Sequence, residues 1–165
     1  MKQYLTVILT LCCMLPLHAQ SFEDYFEDAT LRLDYVFAGN VKEQHIYLQE
    51  LKKQDKWAGR RNRLAEKFLN GNGQLTVKDH ETQKVIYVWT FSTLFQEWLQ
   101  YDEAKKVDKA FETSYNIPFP KKPIDVTITL TNNHRAVTTE MTHTVDPKDV
   151  LIRRIGDNGI PFHYV

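Results

Sequence analysis

Apolar and polar residues alternate along most of this chain. Leu31, Leu33, Tyr35 and Phe37 share one face of residues 30–38, while Arg32 and Asp34 point away. Residues 74–79 repeat the pattern with Leu75 and Val77. Residues 111–119 do so with Phe111, Thr113, Tyr115, Ile117 and Phe119, and residues 124–131 with Ile124, Val126, Ile128 and Leu130. Val137, Thr139, Met141, His143 and Val145 continue it over 136–145. A period of two with β-branched and aromatic residues is what half-buried antiparallel strands require. Val85-Ile86-Tyr87-Val88-Trp89 is apolar on both faces and reads as a central strand covered on each side.

Turn chemistry separates these runs: Asn70-Gly71-Asn72-Gly73, Asp79-His80-Glu81-Thr82 and Asn132-Asn133-His134. One helix interrupts them near residues 93–100. There Leu94, Phe95, Trp98 and Leu99 form a stripe at helical spacing, and Thr93 with Gln96 resembles a capping box. Residues 105–110 are expected to continue it after Asp102. Pro118, Pro120 and Pro123 read as a stiff link. Roughly six to eight short strands with one short helix predict an all-β, antiparallel, immunoglobulin-like two-sheet sandwich. Residues 22–28, an acidic and aromatic knot, read as a leader into the first strand, with their carboxylates solvated at the domain edge.

The first nineteen residues do not belong to that fold. Lys2 followed by the apolar run from Tyr4 to Leu15, then Pro16, Leu17, His18 and Ala19, has the form of a signal peptide cut after Ala19. The run is too short for a spanning helix. A lipoprotein anchor at Cys12 or Cys13 is disfavoured, because neither is preceded by the small residue such a site needs. The expected divisions are a signal peptide at 1–19, a sandwich domain at 20–155, and at 156–165 the loosely packed start of a linker. Both cysteines fall in the leader, so the remaining chain has no disulfide and no thiol ligand. Twenty-one basic residues balance twenty-one acidic ones, which gives no electrostatic reason to expect nucleic acid or an anionic membrane as partner.

Candidate chemistry is sparse. His80-Glu81-Thr82-Gln83-Lys84 mimics a zinc-peptidase motif, but Lys84 stands where the second imidazole is needed, and a turn does not align side chains four apart. The remaining histidines have no ligand-like spacing, and His143 reads as a core histidine. Neither a nucleophile elbow nor a phosphate-binding glycine loop is present. No catalytic, metal or cofactor residue is therefore assigned. Trp89 and Trp98 fit core positions. Trp57 sits in a loop and is the one candidate contact for a sugar, stacking its flat face on a pyranose ring; that role requires it to be exposed.

The stretches FEDYFEDATLRLDYVFAGN, WAGRR, GNGQLTVKD, FSTLFQEWL, IPFPKKPIDVTITL and HTVDPKDVLIRRIG together resemble the amino-terminal domain of bacterial IgA-peptidase-type zinc metallopeptidases, peptidase family M sixty-four, known from Bacteroides-like gut bacteria. The similarity runs in order over residues 22–156. It implies an exported protein, periplasmic or secreted, in which an all-β domain precedes a zinc peptidase domain. The family's catalytic HExxH helix has no matching position here, so none of its catalytic residues carries over. The resemblance implies a non-catalytic accessory domain that supports or orients the peptidase domain in cis or engages protein substrate. Arg153 and Arg154 are expected at the seam between the two domains. The alternative is a carbohydrate- or surface-binding module acting alone through Trp57.

Overall fold

A computed structural model describes residues 21–156. The expected leader, and the expected linker beyond Gly156, lie outside the described residues. Helix α1 (Phe22–Tyr25) leads into β1 (Phe26–Gly39) and β2 (Gln44–Asp55), then β3 (Gly73–Asp79) and β4 (Val85–Phe91). Helix α2 (Leu94–Trp98) and a 3-10 turn (Asp102–Lys105) precede β5 (Lys109–Pro120), β6 (Ile124–Thr131), β7 (Val137–Val145) and β8 (Arg153–Ile155). The strands form two four-stranded sheets, ordered β5-β1-β2-β8 and β4-β3-β6-β7. Every pairing is antiparallel except the short parallel contact of β8 with β2. The two-sheet sandwich expected from the alternation is the observed architecture.

Burial follows the period of two. Leu31, Leu33, Tyr35 and Phe37 of β1 are fully enclosed, as are Leu75, Val77, Val126, Ile128 and Leu130 from the facing sheet. Phe37 is the hub: its ring centroid lies 6.5 Å from those of Tyr35, Phe91 and Phe95, and 6.4 Å from Tyr115. It thereby joins both sheets to α2. Gly73 makes room for this cluster, since a Cβ there would meet the Phe91 ring at 2.0 Å. Thr93 caps α2 by accepting from the Gln96 amide at 3.0 Å, and Phe95, Trp98 and Leu99 are buried. His143 faces the core and shares a 2.6 Å hydrogen bond between Nε2 and the Tyr35 hydroxyl.

Several details differ from the sequence reading. β4 is an edge strand, not a central one; its outer face is apolar because the connection at 56–72 lies along it, with the Val88 amide donating to the Leu64 carbonyl at 2.9 Å. Trp89 points toward the core yet is 46% exposed, because the sheets do not close beside this edge. Leu94 is exposed, on the far side of its short helix. Residues 105–110 do not prolong that helix; a 3-10 turn intervenes and β5 begins at Lys109. Pro118 and Pro120 lie inside β5, where an edge strand tolerates their missing N–H groups. β1 already starts at Phe26, so the acidic knot is partly strand. Its Glu27 pairs with Lys53 at 2.6 Å.

Candidate functional site

Two features of the sandwich stand apart from ordinary core. The first is a charged row on the outer surface of the first sheet that ends at β8. Cross-strand register places Asp34 opposite Glu50 and Ser114, and Lys52 opposite Arg32 and Arg153. Asp34 therefore receives Lys52 Nζ at 2.5 Å, Arg32 Nε at 2.7 Å and the Ser114 hydroxyl at 2.7 Å. Lys52 Nζ also reaches Glu50 at 2.7 Å, and Glu50 takes Arg153 Nε at 2.8 Å. The row runs unbroken from β5 to β8.

Burial would raise the Asp34 pKa, but donation from Lys52, Ser114 and Arg32 outweighs it and holds the carboxyl at about 2. A carboxyl depressed on folding stabilises above its unfolded pKa of 3.8, and that contribution fades as the pH falls toward the folded value. Asp34→Asn is thus expected to cost about 1–2 kcal/mol near neutral pH, after discounting for solvent at the sheet surface. Urea unfolding at successive pH values should show the gap between parent and variant narrowing between pH 4 and pH 2. A gap independent of pH would contradict the network.

Arg153, expected at an interdomain seam, is thus tied within this domain to Glu50. Arg154 is exposed and makes no ion pair among the described residues. Beside them Val150 and Leu151 are 92% and 80% exposed, while Ile152 is buried and anchors the turn. The structure brings both arginines to one edge of the sheet, with an exposed apolar pair just before β8.

The second feature is a cleft of about 440 Å³ between β4 and β5, roofed by residues 57–60. Its size falls in the range of small-ligand pockets. The roof is held by hydrogen bonds at both ends. The Trp57 amide donates to Asp28 at 3.1 Å, the Thr30 hydroxyl donates to the Lys56 carbonyl at 2.7 Å, and the Trp57 indole donates to the Arg60 carbonyl at 3.0 Å. Further along, Arg60 donates to the carbonyls of Leu64 and Val88, and the Thr90 hydroxyl donates to the Leu69 carbonyl at 2.8 Å. Gly59 is required because a Cβ there would strike the Trp57 ring at 2.2 Å. The Arg60 guanidinium lies between rings, 4.7 Å from the centre of Phe68 and 5.2 Å from that of Tyr87.

Trp57 is on a loop, as its sequence context predicts, but at 9% exposure it presents little free face. Trp89 is the accessible indole of the cleft. Sequence reasoning missed this, because period-two burial says which way a side chain points, not whether the opposing sheet reaches it. Tyr115, also 9% exposed, has a buried hydroxyl with no hydrogen-bond partner, and Arg60 Nε is likewise buried and unpartnered. Burial pushes the Tyr115 phenol up to about 12, the nearby Thr113 offsetting only part of the shift, so it remains a donor at physiological pH.

His80 lies in the β3–β4 turn and pairs with Asp125 at 2.8 Å. Among the described residues, no three histidine, cysteine, aspartate or glutamate side chains converge as a metal site, and no helix is long and apolar enough to cross a membrane.

Fold and site together define a small all-β domain with an aromatic-lined cleft and a partly apolar edge at β8. The family described as Peptidase M64 N-terminus matches residues 21–142, and the chain belongs to that family. No curated protein matches the chain.

Proposed function

We infer that this chain is the exported, non-catalytic amino-terminal domain of a zinc peptidase, and that it holds and orients the peptidase domain through the edge formed by β2 and β8. Membership of a family defined by a peptidase's amino terminus carries the reading. The edge at β8 supports it. Val150 and Leu151 are apolar and almost fully exposed, Arg154 has no ion pair among the described residues, and these groups lie on β8 and just before it. Exposed apolar residues rimmed by charge mark contact surfaces, and an unpaired guanidinium is suited to a carboxylate across an interface. The charged row from Arg153 to Asp34 would then act as a brace, fixing β8 to the sheet so that the peptidase domain inherits a defined direction.

The experiment supplies the peptidase domain of a family member in trans to the purified chain and measures association by calorimetry. Val150→Asp and Arg154→Glu should each weaken it about tenfold or more. Association indifferent to both substitutions would contradict the edge as the contact. A second reading, a carbohydrate- or surface-binding module acting alone, is favoured by one observation, the tryptophan-lined cleft.

A further inference from the structure

We propose that the cleft between β4 and β5 is a binding site for a peptide segment that presents an aromatic side chain beside a carboxylate. Three independent features of the cleft converge on that chemistry.

The first is a shortage of partners for buried donors. The Tyr115 hydroxyl and Arg60 Nε are enclosed and make no hydrogen bond. Buried polar groups in native proteins are nearly always paired, and an orphan calls for an explanation. Both residues line the cleft, and a carboxylate, with two acceptor oxygens and no donor, is the group that suits a lining short of acceptors.

The second is charge. Arg60 is the one charged residue lining the cleft, no carboxylate lines it, and Arg60 forms no ion pair among the described residues. Its guanidinium is partly buried against Phe68 and Tyr87 and donates to the Leu64 and Val88 carbonyls, with no carboxylate to offset its charge, and partial burial strengthens attraction to an anion. Of the acceptors that sugar hydroxyls would need besides donors, the Asn116 amide oxygen is on the lining. The Ser114 hydroxyl is committed to Asp34 and Arg32, and that of Thr30 to the Lys56 carbonyl.

The third is shape. Trp57, Tyr87, Trp89 and Tyr115 give the cleft aromatic walls, with Trp89 open to solvent, so a planar ring can stack there. One long wall is strand β5, which pairs with β1 and with no other strand among the described residues. Its Ser114–Asn116 stretch borders the cleft, while the facing edge of β4 is closed by the Leu64 carbonyl. A bare strand edge accepts an extended backbone, and Pro118 and Pro120 remove donors from the part of β5 beyond the cleft.

The carboxylate can come from an aspartate, a glutamate or a chain terminus; the chemistry of the cleft is the same for all three. The inference does not depend on the edge at β8, because β5 and β8 lie at opposite edges of their sheet, so either proposal can fail without the other.

The test monitors the indole N–H signals of Trp57 and Trp89 by NMR in the purified chain. The probes are N-acetyl-L-tryptophan, its amide, acetate, and a blocked glutamate-tryptophan-glutamate tripeptide. The acid or the tripeptide should shift both signals in a saturable way, and which of them binds tells a terminal from an internal carboxylate. The amide should bind at least about fivefold more weakly, and acetate more weakly still. Trp89→Ala, a half-exposed position where the fold should survive, should cost about tenfold, and Tyr115→Phe about threefold with the ring kept. Equal binding of acid and amide, or indifference to Trp89→Ala, would overturn the proposal. So would saturation by chitohexaose with every tryptophan probe silent, which would return the cleft to carbohydrate. A tenfold gain in probe affinity on deleting residues 157–165 would assign the cleft to the chain's own terminus and sink it as well.

Discussion

Replacing Phe37 with alanine is expected to remove about 3–5 kcal/mol of stability, a large part of what a domain of this size possesses. The side chain is fully enclosed, and its ring contacts four others drawn from β1, β4, α2 and β5. None of those neighbours can move into the space of the lost ring without leaving another gap, so the cavity stays open and its cost adds to the lost transfer free energy. Urea unfolding monitored by far-UV circular dichroism reads the change. A loss below about 1 kcal/mol would mean that the sheets slide together, and that Phe37 is not the hub its surroundings indicate.

The second large effect is expected at Leu64, a buried residue in the middle of the irregular connection at 56–72. Leu64→Ala should cost about 2–3 kcal/mol. It should also loosen the roof of the cleft, because the buried Leu64 side chain anchors in the core the point whose carbonyl receives the Val88 amide and Arg60. Limited proteolysis is the check: new cuts should appear between Trp57 and Phe68 before any in the strands. Uniform loss of resistance across the chain would show instead that the roof is an integral part of the core.

That connection marks the boundary of what could be read from the sequence. Strands with an unbroken period of two were legible, since each inward residue of β1, β3, β5 and β6 meets the opposing sheet. β2 was not legible, for an identifiable reason. Its partners shift register between Asp34 and Tyr35, so Ile46 and Leu48 face inward before the bulge at Gln49 and Leu51 after it. One extra residue resets the alternation and hides the strand. β8 is three residues long and is recruited by β2 rather than by its own pattern. The double-sided apolar run of β4 reads as coverage on both faces, but a loop, not a neighbouring strand, lies against one of them, and on the other Trp89 stays 46% exposed. Loop coverage has no periodicity to read.

The site was legible only in fragments. Trp57, Arg153 and Arg154 could be singled out as unusual, yet pairing each with its surroundings needs the fold. Arg60 stands out in the sequence only as half of the Arg60-Arg61 pair, a surface ion pair or a contact to another domain, and Tyr115 only as an inward strand residue; an orphan hydrogen-bonding group is a property of an enclosure. The acidic knot at the start gains a role only in three dimensions: Asp28 holds the Trp57 amide and Arg61, anchoring the roof.

Hydrogen exchange on the chain, with and without the peptidase domain of a family member, tests the central claim most directly. Added protection is predicted at residues 150–156 and the adjoining end of β2 alone, with β6 and β7 unchanged. Protection absent from that edge, or confined to the cleft beside β5, would contradict the claim that β2 and β8 hold the peptidase domain.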